Sequence, residues 1–133
     1  MTTSQASMLR CENLVYRLTT GREIVSNISV DCEHGQFLVI LGPNGAGKST
    51  LIKMLSGELA ATEGHVIFGK SLLGEVSGDH RSKRMSMLAQ SNSMTFPYPV
   101  IEVVMLGRLP HRKTSTTRQD QQIAWQCLEM VGA

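Results

Sequence analysis

The pattern of apolar and polar positions gives several short extended segments before it gives a sustained helix. Met8 to Tyr16 is rich in β-compatible residues. After the turn signal Thr19-Thr20-Gly21 the chain alternates, with apolar Ile28, Val30 and Cys32 set against polar Ser29, Asp31 and Glu33. A period of two predicts a strand with one wet face, and two such segments around a turn predict an antiparallel hairpin. Glu33-His34-Gly35 then leads into Phe37-Leu38-Val39-Ile40-Leu41. Five consecutive apolar residues predict a strand buried on both faces of a mainly parallel sheet. Ser49 to Gly57 follows as a helix, with Leu51, Ile52 and Leu55 at helical spacing and Gly57 as its stop.

Further on, Ala61-Thr62-Glu63-Gly64 reads as a turn and His65 to Phe68 as a short strand ended by Gly69. Ser71 to Asp79 is punctuated by glycine and reads as a loop, and Met85 to Gln90 returns to a strand. Ser91 to Pro99 holds two prolines and is excluded from regular structure. Val100 to Leu106 is a helix of about two turns, closed by Gly107. Thr117 with Asp120 three residues on predicts a capping box. It opens a helix on which Ile123, Cys127, Leu128 and Val131 share a face and which Gly132 ends. Residues 1–7 read as a disordered lead-in. The order implies an antiparallel β layer joined to an α/β core, with the start of a helical subdomain.

Composition narrows the class without naming a function. The chain has 133 residues, 41% hydrophobic and 18% charged, which is ordinary for one globular domain. Its net charge of +2 is too small to argue for nucleic acid. The charge is unevenly spread, however: residues 1–79 carry six basic and eight acidic side chains, and residues 80–133 carry seven and three. That basic second part reads as a solvated or phosphate-facing surface, with a docking face for a membrane partner as the sharper alternative. Cys11, Cys32 and Cys127 have no CxxC spacing, so neither a zinc site nor a disulfide framework is supported and reduced thiols are expected. No apolar run reaches the 18 or so residues of a membrane-spanning helix, and the N-terminus has no secretory h-region.

The chemistry lies in ILGPNGAGKSTL, Ile40 to Leu51, which contains the full pattern G-x-x-x-x-G-K-[ST] with Gly42, Gly47, Lys48 and Ser49 at the fixed positions. Context decides whether such a match has meaning. Here a predicted strand precedes it and a predicted helix follows. Gly42, Gly45 and Gly47 lack a Cβ and let the backbone wrap closely around a phosphate. The helix N-terminus adds unpaired amides and the positive end of its dipole. Lys48 is expected to place a point charge on the terminal phosphates, and the Ser49 hydroxyl to ligate a bridging Mg²⁺. Thr50 offers a further hydroxyl to an inner phosphate.

With strand, loop and flanks placed, the sequence resembles the ATP-binding subunits of ABC transporters, over roughly the N-terminal half of that domain. LGPNGAGKST is the form the loop usually takes there, which implies that Gly42, Pro43, Asn44, Gly45, Ala46, Gly47, Lys48, Ser49 and Thr50 hold the phosphates of ATP. Tyr16 sits where the family carries an aromatic that stacks on adenine. Gly64 to Gly69 resembles the family's glycine-bracketed strand. Gln90 matches the glutamine that reaches Mg²⁺ and the attacking water and reports on the transmembrane partner. The implied fold is a partial P-loop NTPase core, and residues 8–133 are expected to be the N-terminal part of the ATP-binding domain.

FPYPVIEVVMLGRLPHR, Phe96 to Arg112, is similar to the subgroup that energises import of heme, ferric siderophores and cobalamin, and most similar to the hemin importers. SGEL at Ser56 to Leu59 agrees, whereas Gln90-Ser91-Asn92-Ser93 departs slightly from the usual continuation. The resemblance implies an ATPase that couples ATP and Mg²⁺ to uptake of hemin or a related iron chelate. Its implied partners are transmembrane permease subunits, a second copy of itself and, indirectly, a periplasmic binding protein. It implies no nucleic acid, and a peripheral place on the cytoplasmic face of the inner membrane. His111 is not carried over as a heme ligand, because in this family the solute passes through the membrane subunits. A cobalamin or siderophore importer ATPase remains open, as does a non-transport ABC ATPase prompted by the basic second part. The 133 residues contain no LSGGQ loop, Mg²⁺-holding carboxylate, adjacent glutamate or switch histidine of the family pattern. They are therefore expected to be a piece that binds nucleotide without turning it over and that is marginally soluble.

Overall fold

The computed structural model describes residues 7–88, 90 and 97–132. The chain falls into two compact units, Met1–Ser77 and Gly78–Ala133. The expected lead-in lies outside the described residues, apart from Ser7, as do the Ser91-Asn92-Ser93 continuation and Phe96.

In the first unit the predicted hairpin is present. β1 (Ser7–Arg17) pairs antiparallel with β2 (Glu23–Glu33), and β1 pairs on its other edge with β3 (Glu63–Phe68). A two-residue strand β4 (Ser71–Leu72) pairs antiparallel with β3, giving the sheet order β2-β1-β3-β4. The loop expected over Ser71 to Asp79 is thus partly ordered, first as β4 and then as a 3₁₀ turn, Leu73–Glu75, that buries Leu73. Along β2, Ile28, Val30 and Cys32 are half-buried and their neighbours exposed, as alternation requires. Both long strands are bulged, and Asn13 and Asn27 take positive φ of 49° there. Asparagine tolerates that conformation better than other non-glycine residues. Gly64 answers the β1 bulge. With φ of 78° it lies so close to the Glu12 and Asn13 carbonyls that a Cβ would collide with both.

Helix α1 (Lys48–Ser56) lies against β1 and β2 and buries Leu51, Met54 and Leu55. The inward residue is Met54 where the spacing pointed to Ile52, which is exposed. Leu14, at 0% exposure, and Cys11 are the deepest core residues of the sheet. Gly57 ends α1 in a left-handed cap whose N–H reaches the Lys53 and Met54 carbonyls.

Two predicted strands are not formed. Phe37 to Leu41 follows the Gly35 turn outside any ladder, with Phe37 89% and Leu41 85% exposed. Met85 to Leu88, in the second unit, is likewise outside any strand. A strand buried on both faces depends on a hydrogen-bonding neighbour and a covering layer. Among the described residues neither segment has a pairing strand.

The second unit holds α2 (Gly78–Ser82), α3 (Val100–Leu106) and α4 (Thr117–Met130), with a 3₁₀ turn at Leu109–His111. α3 and α4 pack together. The capping box of α4 sits one residue earlier than predicted. The Thr116 hydroxyl accepts from the Gln119 N–H, and the Gln119 side chain accepts from the Thr116 N–H. The buried face is correspondingly Asp120, Ala124 and Leu128, while Cys127 and Val131 are exposed. Asp120 is buried because the Arg108 Nε donates to it at 2.8 Å. Among the described residues no helix is long and apolar enough to cross a membrane.

Candidate functional site

The glycine loop begins where Leu41 ends and closes with a tight turn, the Ala46 N–H donating to the Pro43 carbonyl at 3.3 Å. Gly42, Pro43, Asn44, Gly45 and Ala46 are all exposed, so the loop opens to solvent. Gly45 and Gly47 take left-handed φ of 82° and 86°. Gly47 is held from behind as well. A Cβ there would strike the Ile24 carbonyl and crowd the Val25 side chain, so strand β2 forms the back wall of the loop.

Gly47 is also the N-cap of α1 and brings no side chain to satisfy the helix. The first N–H groups of any α-helix have no intrahelical partner. Those of Lys48, Ser49 and Thr50 therefore face the loop without a side-chain cap, and no acidic residue stands in the first turn to offset the dipole. The first helical bond runs from the Leu51 N–H to the Gly47 carbonyl at 2.9 Å. Lys48 folds back across the loop, its Nζ donating to the Gly42 and Pro43 carbonyls at 2.8 and 2.7 Å. Helix-start amides, a positive helix end and one ammonium group stand together at this exposed loop, a donor set that fits a polyphosphate, with no acidic residue in the first helical turn to repel it. Ser49 is exposed and Thr50 half-buried, in the first turn. A divalent ion at the Ser49 hydroxyl would draw further ligands from phosphate and water.

Tyr16 stands near the end of β1, half-buried, in register with Val25 of β2. Because Val25 also packs against Gly47, one residue links the predicted aromatic to the loop. Arg17, which motif reasoning passed over, ties three strands at this end of the sheet. Its guanidinium donates to Glu23 of β2 at 2.7 Å and to Glu63 of β3 at 2.9 Å. The two carboxylates push the Arg17 pKa further up, Glu23 first, and Arg17, then the Ser26 hydroxyl, holds Glu23 below its ordinary value. Complementary charges across a hairpin are visible in sequence, but the Glu63 contact, 46 residues away, is not. Gln90 belongs to the second unit, where it is exposed in a bend instead of ending a strand.

This fold and this loop define a phosphate-loop nucleotide-binding protein of the α/β class. The chain belongs to the ABC transporter family, whose profile matches residues 25–133. It is 42% identical over 130 residues to the hemin import ATP-binding protein HmuV of Deinococcus radiodurans, covering 98% of this chain and 48% of that protein. It is 45% identical over 114 residues to the protein of the same name from Pseudomonas fluorescens, covering 86% and 44%. The chain thus spans about half the length of the relatives it matches. Among solved structures, the dimeric bacterial ABC transporter cassette MJ0796 shares its fold, with a TM-score of 0.79 and 22% identity over 92% of this chain and 56% of that one.

Proposed function

We propose that this chain is the N-terminal part, residues 8–133, of the ATP-binding subunit of an ABC importer that couples ATP hydrolysis to uptake of hemin or a related iron chelate. The observation that carries the nucleotide site is the Gly47 junction, where positive φ, close packing on β2 and an uncapped helix start coincide. Gly42, Pro43, Asn44, Gly45, Ala46 and Gly47 cradle the phosphates with their backbone. Lys48 exchanges its two loop carbonyls for terminal phosphate oxygens, a charge-assisted contact stronger than the neutral ones it leaves. Ser49 ligates Mg²⁺ with Gln90 as a further ligand, Thr50 supports an inner phosphate, and Tyr16 stacks on the base. Lys48 and Gln90 are the residues that would act on the transferring phosphoryl group.

The solute class is supported by relatives named for hemin import. On this reading the whole protein works as a pair of copies beneath two permease subunits at the cytoplasmic face of the inner membrane, fed indirectly by a periplasmic binding protein. The chain lacks LSGGQ and the family's catalytic carboxylates, so these residues by themselves hold nucleotide without turnover.

Calorimetry of the chain with ATP, with and without Mg²⁺, tests the site. Lys48→Ala is expected to weaken ATP binding by about tenfold or more, the scale of a lost charge-assisted contact. Equal affinity of the two proteins would overturn the proposal. For the solute, the intact subunit reassembled with its membrane partners is expected to show ATPase stimulation by a hemin-loaded binding protein. Stimulation by a cobalamin- or siderophore-loaded protein alone would keep the class and replace the solute.

A further inference from the structure

At the end of the sheet that carries Tyr16, the main chain is fastened at several points in immediate succession. The Thr62 N–H donates to the Val15 carbonyl at 2.8 Å, and the Arg17 N–H donates to the Thr62 hydroxyl at 2.9 Å. The Arg17 guanidinium reaches outward in two directions, to Glu23 on one neighbouring strand and Glu63 on the other. Register shifts flank Tyr16 on both sides, between Leu14 and Tyr16 and between Tyr16 and Arg17. Tyr16 pairs with Val25, but the ladder is irregular on both sides of that pair, so pairing alone holds this residue less firmly than a regular ladder would. The segment would be free to slip or twist without something beyond the ladder.

We infer that Arg17 is a positioning residue for the nucleobase: by clamping β1 to both neighbours it sets the orientation of Tyr16 relative to the loop. The inference rests on the reading of Tyr16 as a base platform. The Arg17 guanidinium is committed to Glu23 and Glu63, so on this inference it acts through the main chain of its neighbour and its effect belongs to the base alone. A planar guanidinium with two separate N–H groups can serve two carboxylates at once, whereas a lysine ammonium is a point charge on a flexible stem.

The test compares two probes on the full chain, ATP and inorganic tripolyphosphate, in Arg17→Met, Arg17→Lys, Glu63→Gln and Tyr16→Ala. Arg17→Met is expected to weaken ATP by about threefold to tenfold and leave tripolyphosphate unchanged, a smaller loss than Tyr16→Ala, which removes the stacking face itself. Arg17→Lys should fall between Arg17→Met and the parent. Glu63→Gln, which keeps the side-chain shape and removes one charged anchor, should show part of the same selective loss and serves if Arg17→Met does not fold. Equal weakening of both probes would mean a general structural role and overturn the inference. So would an Arg17→Met affinity for ATP equal to the parent's while Tyr16→Ala loses it. If Tyr16→Ala leaves the ratio of the two affinities unchanged, the base-platform reading itself falls and takes this inference with it.

Discussion

Gly47 has to satisfy conformation and space at once. Its φ of 86° disfavours any side chain, and the Ile24 carbonyl occupies the place a Cβ would take. Gly47→Ala is expected to destabilise the first unit by about 2 kcal/mol or more, from backbone strain of order 1–3 kcal/mol with a steric term added. A fall in the urea midpoint checks it. Gly45→Ala has comparable strain but open space around it, so its loss should be the smaller of the two. The motif was legible because it is local, lying within Gly42 to Ser49 and needing no tertiary contact to be seen. What was not legible is why β2 matters to it, since Ile24 and Val25 meet Gly47 only after the sheet has formed.

At the scale of the element, α4 separates two neighbouring threonines. Thr116 caps the helix and Thr117 is its first residue. Thr116→Ala should therefore cost about 1 kcal/mol, while Thr117→Ala should stay within about 0.5 kcal/mol, both read from urea midpoints. The sequence pointed to Thr117 because Asp120 follows it by three residues, whereas the box is built by Thr116 and Gln119. Asp120 instead accepts from Arg108 on the buried face. The same pair sets a pH dependence. Arg108, with help from the Ser115 hydroxyl, holds the Asp120 carboxyl below its ordinary value against the opposing effect of burial. Its contribution is therefore complete above the unfolded pKa of about 3.9 and is lost as pH falls through the lower folded value. The gap in urea midpoint between the parent and Asp120→Asn should be constant near neutrality and close below about pH 4.

At the scale of the whole molecule, Phe37 to Leu41 is an apolar segment outside any sheet. The hairpin, β3 and α1 were readable because each closes its hydrogen bonds and buries its face within about 60 residues of neighbouring chain. Phe37 to Leu41 was legible as an apolar run, but the strand expected there is not formed, because pairing is a property of other strands. Phe37→Gln should therefore change stability by less than about 0.5 kcal/mol, as for an exposed site. It should also lower concentration-dependent light scattering, because an exposed apolar segment with unpaired backbone invites association. Substantial destabilisation would show that Phe37 is covered in solution.

The fit between the Asn13 bulge and Gly64 carries a consequence for anyone recombining parts of related cassettes. The carbonyls that crowd Gly64 exist because β1 has an extra residue at that point, so the two positions behave as lock and key. A chimera that imports a regular β1 would leave Gly64 with an unneeded gap. One that imports a β3 with a side chain at that position would force the strands apart. Crossover points should therefore keep both strands from one parent.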